Sequence, residues 1–289
     1  MSWSTGKLGT RSSRLVRRRW LVQAGFLAVW LIPLRLFNVC GAVFHCYACP
    51  LALFACPIGV TAQFSALHVF PFMAVGTLLV VGGMVGAFVC GWACPFGFMQ
   101  DLAAKARTCR YELPAWAGHF RYVVLVGAVL AIPFLWGEGH ALFICRVCPA
   151  GALEGAIPAK VEQALANQPI NEINNIKIWV TVFVVAGMFV KFRPWCTLLC
   201  PLGAIFGLFN RWSALYLRFI PERCTSCKLC HTQCRVGLEP DRRANDPRCI
   251  RCLECTHCGA LTVGSPLARP KDATPEETGD ESSGPTQTV

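Results

Sequence analysis

The chain has 289 residues, of which 54% are hydrophobic and only 15% charged. Globular domains carry about 25% charged residues, so an ordinary soluble domain is excluded. Its net charge of +11 gathers around Arg11–Arg19, Lys105–Arg110 and Lys191–Arg223, each beside an apolar block, with no nucleic-acid motif; this distribution predicts membrane orientation and no nucleic-acid partner.

In chain order, residues 1–19 form a basic N-terminus. Arg17-Arg18-Arg19 and the apolar run behind it have the outline of a signal peptide. The run extends too far and lacks a small-residue cleavage site, so a retained anchor is expected. Four membrane spans follow: about Trp20–Phe37, Ala66–Val89, Ala117–Trp136 and Ile176–Phe192, the last framed by Lys177 and Lys191. The basic loops place both termini in the cytoplasm, in a cell inner membrane, and put the stretches near Cys46 and Cys145 outside. Residues Leu202–Ile220, apolar but carrying Arg211 and Arg218, predict an interfacial helix in preference to a fifth crossing. A cysteine-rich module occupies residues 222–264. The tail, 265–289, is rich in Pro, Thr, Ser and Glu and predicts disorder.

The chain repeats itself. Ile32-Pro33 recurs as Ile132-Pro133, Cys46-x2-Cys49-Pro50 as Cys145-x2-Cys148-Pro149, and Cys90-x3-Cys94-Pro95-x-Gly97 as Cys196-x3-Cys200-Pro201-x-Gly203. The landmarks keep their order, which predicts two helix-pair repeats, 20–115 and 116–221. Each begins and ends inside, so the repeats are parallel, about an axis along the membrane normal. The fold class is therefore mainly α: multi-pass membrane helices in two parallel repeats, plus a small C-terminal module.

The 19 cysteines come in a chain too long and too apolar for the disulfide framework of a small secreted domain. Within the module, Cys224-x2-Cys227-x2-Cys230-x3-Cys234 is followed by Cys249-x2-Cys252-x2-Cys255-x2-Cys258. Such spacing lets three thiolates of one turn embrace a cubane cluster, and in two-cluster ferredoxins the fourth cysteine of each run ligates the other cluster. Carried over, that pattern assigns Cys224, Cys227, Cys230 and Cys258 to one 4Fe-4S cluster. It assigns Cys249, Cys252, Cys255 and Cys234 to a second. Neither run ends in Cys-Pro, and the second closes one residue early, at Cys258. A pair of zinc sites is the alternative, since four thiolates also suit zinc.

The remaining motifs sit at the ends of the expected spans. Cys90-Gly-Trp-Ala-Cys94-Pro and Cys196-Thr-Leu-Leu-Cys200-Pro fall at the cytoplasmic ends of spans two and four. Cys46-Tyr-Ala-Cys49-Pro, with Cys56-Pro57 beyond it, and Cys145-Arg-Val-Cys148-Pro fall at the outer ends of spans one and three. Together with the C-terminal module, this set resembles the membrane polyferredoxins of the NapH/NosR/MauN group over about Arg17–Gly259. The resemblance implies a quinol-linked electron-transfer component serving a respiratory or cofactor-maturation system.

Repeats about a common axis bring equivalent pairs together. The expected groups are an inner quartet, Cys90, Cys94, Cys196 and Cys200, and an outer quartet, Cys46, Cys49, Cys145 and Cys148, each able to hold a further cluster. Redox dithiols and simple packing are the alternatives. For Cys40, Cys56 and Cys109, which lack repeat partners, packing is expected. A straight 20-residue span is about 30 Å long, too far for direct exchange between the quartets. Either Leu51–Phe64 dips back into the membrane or a quinone carries the charge. Arg35, His45, His68, Glu138 and His140 are expected near the outer interface, as anchors or as proton acceptors of a quinol site.

The function expected is electron transfer between the quinone pool and a partner redox protein, in contact with membrane lipid. The rival is an assembly or regulatory factor that uses its clusters to reduce a metal or thiol while another enzyme matures.

Overall fold

A computed structural model describes residues 16–32, 34, 36–106, 114–167 and 175–264. Arg35, Cys109 and the expected disordered tail lie outside the described residues. Eight helices of nine or more residues carry the architecture: α1 (Arg19–Trp30), α2 (Pro57–Ala66), α3 (Phe72–Val85), α4 (Pro95–Ala103), α5 (Trp116–Trp136), α6 (151–165), α7 (Asn175–Val190) and α8 (Pro201–Phe209). Strands β1 (Leu36–Cys40) and β2 (Phe54–Ala55) pair in parallel. Strands β3 (Tyr216–Phe219) and β4 (Leu261–Gly264) pair antiparallel, with Tyr216 opposite Gly264 and Phe219 opposite Leu261.

Of the four expected spans, only α5 is both long and apolar enough to cross a membrane; α3 and α7 are shorter apolar helices among the described residues. Backbone chemistry explains the shortening. Helix α1 stops ahead of the Ile32-Pro33 step, because a residue before proline is disfavoured in the α region. The expected second span is divided: α2 ends at Ala66, α3 starts behind Pro71, and Gly86 closes it at φ +55°. Helix α5 keeps its length across Pro133 by widening to π geometry over Leu125–Ala131, just before the proline. The apolar helices keep large side chains outward: Phe72, Trp116, Leu135, Trp179 and Phe183 are each 65–77% exposed.

The main core joins the two halves of the chain that carry the duplicated cysteine motifs. Phe44, Phe96 and Trp195 form a triangle of rings with centroids 5.8–6.3 Å apart. Val129, Phe143, Met188 and Phe206 are buried in the same cluster. The expected interfacial helix over Leu202–Ile220 is a helix only to Phe209. Asn210 ends it by donating through Nδ2 to the carbonyls of Asp246 (3.1 Å) and Cys249 (2.8 Å). The amides of Ala214 and Leu215 then bond the last carbonyls of α3, Gly83 and Met84, at 2.7 and 2.9 Å. Tyr216–Phe219 continues as β3 and belongs to the sheet of the cysteine-rich module.

One side chain locks that module to the helices. Arg251 is 1% exposed and sits at φ +49°. Its guanidinium donates to the carbonyls of Val85 (3.0 Å), Leu215 and Asn210 (2.7 Å), to Ser213 Oγ (2.7 Å) and to Asn245 Oδ1 (3.3 Å). Gly86 is required beside it, since a Cβ there would lie 2.9 Å from the guanidinium. Burial lowers the Arg251 pKa to about 10, so it remains a cation at neutral pH. Arg251→Met removes these donors and orphans buried carbonyls; a loss of roughly 2–4 kcal/mol is expected, read as a lower thermal midpoint and faster protease nicking of the module. Arg251→Lys is expected to recover little, because an ammonium lacks the planar fork.

Candidate iron–sulfur centres

Four Cys-Pro steps share one local geometry. Cys56, Cys94, Cys148 and Cys200 each have φ between −66° and −75° and ψ between 113° and 121°. Extended backbone is what a residue before proline favours, and proline is preorganised for the first helical position. Each cysteine therefore stands at the mouth of a helix, and the amide three residues on bonds its sulfur: Gly151 to Cys148 Sγ (3.3 Å), Gly203 to Cys200 Sγ (3.4 Å), and likewise Gly59 to Cys56 and Gly97 to Cys94. Amides at a helix N-terminus favour a thiolate. All four steps read Cys-Pro-x-Gly, whereas Cys49-Pro50 is followed by Leu51-Ala52.

The four steps pair between distant segments of the chain. Cys90, Cys94, Cys196 and Cys200 line a single enclosed cavity, walled by Phe44, Phe96, Trp195 and Arg121. At the other end Cys46, Cys56, Cys145 and Cys148 line another. The structure thus corrects the expected outer grouping: Cys49 is buried but does not line that cavity, and Cys56, expected only to pack, takes its place. The shared Pro-x-Gly was the sequence signal for the exchange. Cys40 is buried against Ala55 and Ala74. Of the polar residues expected at the outer interface, His45 is instead buried, with Nδ1 2.9 Å from Glu154 Oε2. His68 packs on Phe134 at 4.4 Å, and Glu138 accepts from Gln63 Nε2 at 2.6 Å.

In the module, Cys234, Cys249, Cys252 and Cys255 line one cavity, while Cys224, Cys227, Cys230 and Cys258 line the next. Each set contains three cysteines of one run and one of the other. Burial and the neighbouring thiol of Cys252 push Cys249 up to about 12, and burial with the Glu254 carboxylate pushes Cys252 up to about 11. Alone, these thiols stay protonated at neutral pH; a bound cation deprotonates a coordinating thiol outright, so the donor set fits a cationic iron–sulfur core.

Neighbouring cavities share walls. Phe44 borders both the outer and inner quartets, correcting the expected 30 Å separation. The reason is that α1 ends early and β1 with the following loop carries Cys46 back toward the core. Cys249 and Ile250 border both the inner quartet and the first module cavity. This contact depends on two glycines: a Cβ on Gly91 would lie 2.5 Å from the Ile250 carbonyl, and one on Gly207 2.3 Å from that of Pro247.

Sequence reasoning missed the residues that surround the inner quartet. Gln100, fully buried, donates through Nε2 to Cys196 Sγ at 3.0 Å and accepts from the Trp195 amide at 3.2 Å. Arg193, assigned to the orientation charge, is fully buried. It forms a fork with Asp101 at 2.5 and 2.7 Å and donates to the Cys90 carbonyl at 2.5 Å. Arg19 and Gln23 complete the bonding of Asp101, each at 2.8 Å. Arg121, 2% exposed, bonds the Gly203 carbonyl at 3.3 Å. Arg193-Pro194 just ahead of Cys196 was the available signal; the role of Gln100 had none.

Comparison with known proteins agrees with this donor chemistry. A family model described as a 4Fe-4S binding domain matches residues 67–110 and 176–219. The chain is 24% identical to a putative electron transport protein, YccM, of Escherichia coli over 72% of this chain and 57% of that one. It is 27% identical to the regulatory protein NosR of Stutzerimonas stutzeri over 57% of this chain and 22% of NosR. It is 25% identical to the methylamine utilization ferredoxin-type protein MauN of Methylobacillus flagellatus over 81% of both chains. The chain thus spans about a fifth of NosR and just over half of YccM. No solved structure matches. The cysteine sets and the matched domain define an iron–sulfur protein of the ferredoxin type. Within that class the chain is similar to members of the NapH/NosR/MauN group.

Gly91→Ala is expected to cost about 1–3 kcal/mol despite alanine's better helix propensity, because the methyl meets the Ile250 carbonyl. Gly83→Ala, where a Cβ meets nothing within 4 Å, is expected to be neutral or stabilising by up to about 1 kcal/mol. Thermal midpoints of the two variants, measured side by side, check the contrast.

Proposed function

We propose that the chain is a multi-pass inner-membrane protein that passes electrons between the quinone pool and a partner redox protein. Its 4Fe-4S clusters are held by Cys224, Cys227, Cys230 and Cys258, by Cys234, Cys249, Cys252 and Cys255, and by the inner quartet Cys90, Cys94, Cys196 and Cys200. Such clusters supply one-electron chemistry. The observation that carries the reading is the wall shared at Cys249 and Ile250, which sets the module directly against the inner quartet.

The chain's own residues hold this arrangement. Arg251 and Asn210 fix the Asp246–Arg251 backbone, and Gly91 and Gly207 let it approach. Arg121 and Arg193 place two buried cations beside the inner sulfurs, offsetting the negative charge of a tetrathiolate cluster, and the Gln100 bond to Cys196 Sγ favours its more negative, reduced form. Membrane residence is supported by the outward apolar faces of α3, α5 and α7. The quinone link is supported by a groove beside Cys145 that presents Tyr47, Gln63, Glu138, Arg146 and Lys160, a setting with a carboxylate for a released proton. The similarity to NosR, a regulatory protein, favours a second reading, a regulatory or maturation factor that uses the same clusters to reduce a metal or thiol.

Full-length protein purified without oxygen is expected to be brown, and a short-chain quinol is expected to bleach it and raise a low-temperature paramagnetic signal. Reduction by dithionite alone would remove the quinone link, and colourless protein containing zinc would remove the clusters. Normal quinol-dependent respiration in a deletion strain, with one inactive metalloenzyme, would select the second reading.

A further inference from the structure

The outer quartet lies outside the residues matched by the 4Fe-4S family model, yet it is built like the inner one. Each quartet combines two cysteines at Cys-Pro-x-Gly helix mouths with two cysteines upstream: Cys56 and Cys148 with Cys46 and Cys145, against Cys94 and Cys200 with Cys90 and Cys196. We propose that Cys46, Cys56, Cys145 and Cys148 hold an additional polynuclear iron–sulfur cluster, and that Cys49 takes no part in it. The proposal rests on the reading of the chain as an iron–sulfur protein and adds a site to it.

Space is the first argument. The four cysteines line one cavity of about 280 Å³ together with Phe44, Tyr47 and Lys177. A cubane, with inorganic sulfide between its irons, fits such a space.

The surrounding backbone makes the second argument. Glycine stands at three positions around the sulfurs. A Cβ on Gly59 would come within 3.5 Å of Cys145 Sγ, one on Gly151 within 3.6 Å of Cys46 Sγ, and one on Gly155 within 3.1 Å of Cys46 Sγ. Helix mouths supply amides to two of the four sulfurs, from Gly59 and Gly151.

Polar groups at the rim make the third. Lys177 lines the cavity and supplies a cation. Glu154, 9% exposed at its side chain, accepts from the Cys46 amide at 3.0 Å and pairs with His45, fixing the backbone that carries the first sulfur. All four cysteines are free thiols.

The test compares Cys56→Ala with Cys49→Ala in the full chain, purified without oxygen, by iron and acid-labile sulfide content. Cys56→Ala is expected to lose about four irons and four sulfides per chain, the content of one cubane, and Cys49→Ala to lose none. Cys145→Ala, from the other repeat, is expected to match Cys56→Ala. The reduced paramagnetic signal of the module serves as the control for folding, since it should persist in all three variants. Unchanged iron in Cys56→Ala, loss of iron in Cys49→Ala, or zinc in place of the lost iron would overturn the proposal while leaving the module's clusters intact. Absence of iron from the unaltered protein would overturn the function proposed above as well.

Discussion

The architecture hangs on a two-residue step, cysteine followed by proline. Proline forces the cysteine before it into extended backbone and starts a helix immediately after, so the sulfur is delivered to the ring of unpaired amides at a helix mouth. At Gly97 and Gly203, three residues on, a Cβ would come 3.0 Å from the Cys90 and Cys196 carbonyls. Four copies of this step mark where four helices begin. Three of those helices, α2, α4 and α8, have only nine or ten residues.

Bringing sulfurs together creates an electrostatic problem that the rest of the interior answers. Four thiolates repel each other and resist burial, as the raised pKa values of Cys249 and Cys252 show in the module. Around the inner quartet the answer is cationic: Arg193 and Arg121 are nearly inaccessible to solvent, and Asp101 with Arg19 and Gln23 holds Arg193 in place. That network also ties α1 to α4 and to the segment after α7, so the charges that serve the sulfurs hold distant segments together. Arg251 performs the matching task for the module with backbone carbonyls as its acceptors.

The resulting object is a series of cysteine-lined cavities with single residues as partitions. Phe44 stands between the outer and inner quartets, and the Cys249–Ile250 backbone between the inner quartet and the module. Partitions this thin need close backbone approach, which is why Gly91 and Gly207 face carbonyls of the module.

Much of this was legible from residue order. Short spacing confines three sulfurs of each module run to one turn, the two-cluster ferredoxin pattern supplied the exchange of the fourth, and the duplicated Cys-x3-Cys-Pro motifs pointed to Cys90, Cys94, Cys196 and Cys200 as one group. The sequence by itself also determined the helix starts, since proline acts on its immediate neighbour. What only the tertiary structure decided were the relations between distant segments. Cys56 takes the place of Cys49 at the outer cavity: Pro-x-Gly marks it in the sequence, but only the packing of α2 brings it to Cys145 and Cys148. The same fold carried Arg193 and Gln100 from apparent surface and helix positions into contact with the inner site, and turned residues 216–219 from an expected helix into a strand by pairing them with β4. Local rules act through covalent neighbours; sites assembled from distant segments depend on which surfaces exclude solvent together, and that is settled only when the whole chain packs.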